Sequence, residues 1–192
     1  MEGITSFFLR AKHWQVFALV WGAYFIAQMA IVASLPEGPI EKPLKVGLLL
    51  EAVMLPSVAC LMGWLWSMGS FLFSISEPSL KLNIHVFRFA VIFPTLYLLT
   101  ALPFFLSTST PEAIILPLHL PALFCLIYVF YFDSRSLVTA EKGEGATSND
   151  YVLPMLLLFF SPIGVWLIQP RINLLYTRSD ARSTSQNVVM PD

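Results

Sequence analysis

Charge is what this chain has least of. Asp, Glu, Lys and Arg together make up 12% of its 192 residues, with a net charge of −1. Against 57% hydrophobic residues and a mean hydropathy of +0.73, that leaves too little polar surface to cover the apolar mass, which excludes an ordinary water-soluble domain. The near-neutral balance also gives no electrostatic footing for nucleic acid. Cysteine is sparse as well: Cys60 and Cys125 fall singly in apolar runs, lack the paired spacing of zinc or redox sites, and read as small buried hydrophobes. The three histidines are scattered. His13 and His85 are expected near one membrane boundary and His119 near the other, so they cannot share a metal. No Gly-x-Ser-x-Gly or His-Glu-x-x-His occurs, and no internal repeat. The reading is therefore a chain that is not an enzyme, with no cofactor and no metal.

What the sequence does have is long, almost uncharged runs. Four, at 14–34, 47–75, 87–105 and 113–132, match or exceed the roughly 20 residues that a helix needs to cross a hydrocarbon core of about 30 Å. A fifth, at 151–169, is long enough only at the limit and carries Pro154, Pro162 and Gly164. The fold class expected is all-α: a polytopic helical membrane bundle of four transmembrane helices plus a fifth, proline-broken segment that either spans or re-enters. The spans and their connectors nearly consume residues 1–176, one membrane domain; from Thr177 to the end the residues are polar and apolar-poor, and disorder is expected. The first apolar run exceeds a signal-peptide core and is expected to stay as an uncleaved helix.

Lysine and arginine are retained on the cytoplasmic side, so their distribution orients the bundle. With a cytoplasmic N-terminus and five full crossings, six positive residues fall inside and five outside. If the last segment instead enters and returns on the cytoplasmic side, nine fall inside and two outside, a far better fit. The break offered by Pro154, Pro162 and Gly164 favours the same choice, since irregular backbone at membrane depth is tolerated only under cover of other helices.

Three ionisable residues fall within or at the edge of spans: Glu51, Arg88 and His119. Glu51 and His119 come to similar depths, roughly 6 to 9 Å below the outer boundary by helical rise, and form a candidate proton-responsive pair. The alternative places Glu51 among the headgroups. Arg88 is expected to snorkel to the cytoplasmic side, and Trp14, Trp21, Tyr151 and Trp166 fit an aromatic belt. Pro94, Pro103, Pro117 and Pro121 predict kinks in the third and fourth spans, and Gly63, Ser67, Ser70 and Ser74 offer small residues for close packing.

Towards the C-terminus a series of residues forms a recognisable pattern: Leu116-Pro117-Leu118-His119-Leu120, Phe124-Cys125, Tyr128, Thr139-Ala140-Glu141, and Pro162-Ile163-Gly164-Val165-Trp166-Leu167-Ile168-Gln169-Pro170-Arg171-Ile172-Asn173. This resembles a family of uncharacterised integral membrane proteins of Bacteroidota and related bacteria that ends in a Pro-Ile-Gly-x-Trp-x-x-Gln-Pro-Arg/Lys-Ile-Asn signature. The resemblance covers about a third of the chain well. It implies a bacterial cytoplasmic (inner) membrane location and brings no activity with it. The Gly143-Glu144-Gly145 turn departs from the more helical continuation expected there.

Physically the signature reads as an interface device. Trp166 anchors at the headgroups, Gln169 and Asn173 satisfy backbone groups freed by Pro162 and Pro170, and Arg171 meets either a lipid phosphate or Glu141. The function read from all this is a non-catalytic membrane protein, an accessory subunit or a membrane assembly or lipid-interacting factor. Its partners are the bilayer and other membrane proteins or a second copy. The alternative is a small-solute or ion transporter that uses Glu51 and His119.

Overall fold

The computed structural model describes the backbone of residues 2–34, 43–106 and 112–189, and among these residues every element is helical. Side chains are described for most of them; 44–48, 50–51, 99–106, 112–116 and 183–189 are the main exceptions. Helix α1 is Glu2–Arg10 and α2 is His13–Phe17; a π turn, Ala18–Gly22, leads from α2 into α3, Ala23–Ala33. Then follow α4 (Pro43–Ile75), a 3₁₀ turn at Pro78–Leu80, α5 (Ile84–Leu106), α6 (Glu112–Lys142), α7 (Ser148–Phe159) and α8 (Ser161–Val189).

Three helical stretches are long and apolar enough to cross a membrane: His13–Ala33, Ala52–Ile75 and Pro117–Lys142. A shorter apolar stretch, Ile84–Leu98, covers the fully described part of the expected third span. Large hydrophobic side chains cover the outside, among them Ile26, Met29, Phe89, Phe124 and Leu153, as suits a chain whose solvent is lipid.

The core is not spread evenly along the bundle. Buried residues crowd into one half, at Phe8 to Val20, Met62 to Leu72, Phe87 to Val91, Val129 to Val138 and Val165 to Leu175. The same half carries the polar contacts, and its tip holds Arg10, Lys81, Lys142 and Arg171, which meet Tyr176, Phe73, Asp150 and Glu141 respectively, together with Arg178. This is called the polar end below.

One feature adds to the sequence reading and one departs from it. The residues before the first apolar run are helical: α1 packs on α4 and α8 and buries Phe8 and Leu9, with Ala11 buried just past its end. Its neighbour Gly63 supplies the room, because a Cβ there would press on the Phe8 ring. The tail expected to be disordered from Thr177 is instead a continuation of α8 to Val189. Buried Ile172 and Leu175 fix the preceding turns, and extending an existing helix costs far less than starting one.

The last apolar segment breaks at Phe160, between α7 and α8. Pro162 falls in the first turn of α8, where its missing N–H has no helical partner to lose. Gly164 lies so close to the Leu157 carbonyl that a Cβ would overlap it, so glycine is what allows α7 and α8 to fold back on each other. At 12 residues α7 is about 18 Å long, well short of a crossing. Asp150 at its start and Arg171 on α8 both reach the end of α6, so the hairpin enters and leaves at the polar end.

Candidate functional site

The most highly connected polar side chain in the interior is Gln169, which is fully buried. Trp64 Nε1–H donates to its Oε1 at 2.7 Å. Its Nε2 points at three acceptors, Phe8 O at 2.8 Å, Ala11 O at 3.0 Å and Asn173 Oδ1 at 2.7 Å, so two hydrogens are shared among three oxygens. Asn173 Nδ2 adds a bond to Ala11 O at 3.1 Å. The carbonyls of Phe8 and Ala11 lie where α1 ends and the chain turns into α2, so they lack helical donors of their own. Gln169 and Asn173 therefore cap a helix 158 to 162 residues away rather than repairing the breaks at Pro162 and Pro170. Sequence spacing cannot show this, because the acceptors are main-chain atoms of an element that was not expected.

Between Gln169 and Asn173 on α8, Arg171 forms the expected ion pair with Glu141: Nε donates to Oε1 at 2.7 Å and the terminal amino group to Oε2, a two-point contact. Both side chains are about a third exposed. Lys142 pairs with Asp150, which also accepts from the Thr147 hydroxyl at 2.6 Å and the Thr147 backbone N–H at 2.9 Å. The hydrogen bonds from Lys142 and Thr147 hold the Asp150 carboxyl down at about 2. Gly143, at φ +72°, turns the chain out of α6 in a left-handed conformation that glycine adopts freely.

Asp133 was not anticipated. It is fully buried in α6, and neither carboxylate oxygen has a hydrogen-bond partner. Gly69 of α4 and the Phe87 ring of α5 crowd against it, leaving no room for a Cβ at position 69. In the sequence it follows the run 113–132 and passes for the first polar residue of a connector. The signal against that reading is Leu137 and Val138, apolar residues four and five positions on, which keep the same helical face buried.

His119 Nδ1 lies 3.1 Å from the Tyr97 hydroxyl on α5. The side chain of Glu51, and with it the expected Glu51–His119 pair, lies outside the described residues. Trp166 is partly exposed and its ring lies 4.7 Å from that of His13 and 5.7 Å from that of Phe17. Arg88 sits over the Trp66 ring at 5.9 Å. Among the described residues no group of three His, Cys, Asp or Glu side chains is arranged to hold a metal ion.

Two cavities open at the polar end. One, of about 460 Å³, lies between the ends of α4 and α6 and the outer part of α8, with Glu77, Glu141, Lys142, Arg178 and Arg182 on its wall. The other, of about 570 Å³, is a shallow groove beside α1 that includes Ser6, Trp66, Ser70, Arg88 and Tyr176. A third crevice of about 170 Å³ lies on the apolar side at the π turn, where Trp21 Nε1 has no acceptor. No protein-family model, no curated protein and no solved structure matches this chain.

Proposed function

We propose that this is a non-catalytic integral protein of the bacterial inner membrane, an accessory or lipid-interacting factor. In this reading four helical segments cross the bilayer, the α7–α8 hairpin re-enters from the cytoplasmic side, and the N-terminus is cytoplasmic. What carries the reading is the way the interior polar side chains are used. Gln169, Asn173 and Trp64 are occupied with one another and with α1, and Glu141, Arg171, Lys142 and Asp150 are paired. They lock helices together and leave little reactive chemistry, while the outer wall is broadly apolar. The orientation is supported by the excess of cations at the polar end, Arg10, Lys81, Lys142, Arg171 and Arg178, over the opposite end of α4, where Lys45 stands.

Topology is tested by introducing single cysteines near Ser34, Ala146 and the C-terminus in a Cys60→Ala/Cys125→Ala background, then labelling intact cells with a membrane-impermeant maleimide. Labelling at 34 alone is expected; labelling of the C-terminus overturns the re-entrant arrangement. The functional class is tested by reconstitution into liposomes, where no proton- or ion-linked flux is expected.

One observation favours a second reading, proton-linked transport: a buried carboxyl group without a partner is the usual mark of a functional acid inside a membrane protein. In that case Asp133 joins Glu51 and His119 as a candidate proton carrier. A liposome flux abolished by Asp133→Asn would establish it.

A further inference from the structure

The outer part of α8 carries a stripe of residues at helical spacing, Arg171, Leu175, Arg178 and Arg182. Leu175 is buried and fixes which way the stripe faces. Arg171 has its carboxylate partner in Glu141. Arg178 and Arg182, about two and three turns beyond Arg171, line the 460 Å³ cavity, and neither side chain makes an ion pair or hydrogen bond among the described residues.

Two guanidinium groups four residues apart on one helix face repel each other, and both, though solvent-exposed, line a concave space. The other charges on the wall are largely neutralised. Glu141 is held by Arg171 and Lys142 by Asp150, which leaves Glu77 as the one unpaired carboxylate against two arginines. The hydroxyls of Ser76 and Ser179 on the wall are engaged with the carbonyls of Leu72 and Tyr176, so the arginines are the donors free for an anion, and the volume is that of a small-molecule site. Planar guanidinium groups are suited to the tetrahedral oxygens of phosphate, which they bind through paired N–H groups.

We infer that this cavity binds a phosphate ester, with Arg178 and Arg182 as its anion-holding residues. The inference rests on the lipid-interacting reading above and narrows it to one site. Two sources present the same chemistry: the headgroup of an anionic phospholipid reaching in from the adjacent leaflet, and a soluble phosphate compound entering from the cytoplasm. The apolar edge formed by Ile75, Leu80 and Leu175 favours the phospholipid.

The test is thermal unfolding of the full chain in a neutral detergent, followed by tryptophan fluorescence, with added phosphatidylglycerol, phosphatidylcholine or inorganic phosphate. Wild type is compared with Arg178→Gln/Arg182→Gln and with Lys12→Gln, an exposed cation at the same end but off the cavity. Phosphatidylglycerol at a hundredfold excess over Kd is expected to raise the Tm by about 5 °C. The rise should disappear in the double variant, persist in Lys12→Gln, and be absent with phosphatidylcholine. A rise with inorganic phosphate that is lost in the double variant also supports the site and assigns it to a soluble phosphate. A phosphatidylglycerol effect that survives in the double variant overturns the site while leaving a lipid-interacting protein. No effect of any additive on wild type overturns both.

Discussion

The indole N–H of Trp64 on α4 donates to the side-chain oxygen of Gln169 on α8, joining residues 105 positions apart through one buried bond. The amide nitrogen of the same glutamine faces the end of α1. One side chain thus ties together the beginning, the middle and the end of the chain. Replacing Gln169 with leucine keeps a similar bulk but leaves Trp64 Nε1–H without its acceptor and Phe8 O without its donor. At about 1–3 kcal/mol for each buried group left unpaired, the loss should reach about 3 kcal/mol, read as a lowered denaturation midpoint. A loss under about 1 kcal/mol would mean that water replaces the amide.

Acid should loosen the α7 hairpin at its entrance. The Asp150 carboxyl titrates at about 2 in the folded chain, below its ordinary value of 3.8. Its stabilising effect is therefore fully present above pH 4 and is lost as the pH falls through 2. Asp150→Asn should be less stable than wild type at neutral pH and should lose none of its remaining stability over that acid window from this cause. Parallel acid titrations of the two proteins, followed by proteolysis within 143–150, would show whether the curves converge.

Gly164→Ala should be among the most damaging single changes in the chain. The added methyl group overlaps the carbonyl of Leu157, a backbone atom that cannot swing aside, so α7 and α8 must separate. A loss of about 3 kcal/mol or more, with little folded protein recovered in detergent, is expected. Normal yield and Tm would show that the hairpin is looser than described.

Asp133 behaves in the opposite sense. A carboxyl group buried without a donor opposes folding, and asparagine has the same shape without the charge. Asp133→Asn should therefore match or exceed the wild-type Tm. A fall of several degrees would reveal a donor to the carboxylate. Combined with the flux assay, a stable but inactive variant would move the functional reading towards transport.

The helical class and the apolar runs were legible because they rest on length and composition, which need no partner to interpret. The Glu141–Arg171 pair was legible because opposite charges at one boundary have few other ways to meet. The break near Pro162 and Gly164 could be read for the same local reason, although its residue, Phe160, could not. Other features depend on contacts that spacing does not encode. Helix α1 forms because Phe8 finds Gly63 and its carbonyls find Gln169, and neither relation shows in its own nine residues. The face of α6 that buries Asp133 is set by α4 and α5, so the residue reads as exposed until those helices are in place. The continuation of α8 beyond Thr177 follows from the buried turns before it, not from its own polar composition.

The capping of α1 by Gln169 has a consequence for synthesis. When α1 leaves the ribosome, the amide that will cap it, 158 to 161 residues further along the chain, has not yet been made. The N-terminal helix can pack on α4 as soon as that helix is in place, but its last carbonyls stay uncapped until the final hairpin has been released. A truncation before Gln169 would then leave the end of α1 uncapped, and quality-control proteases would meet the defect first at the N-terminus, far in sequence from the missing residues.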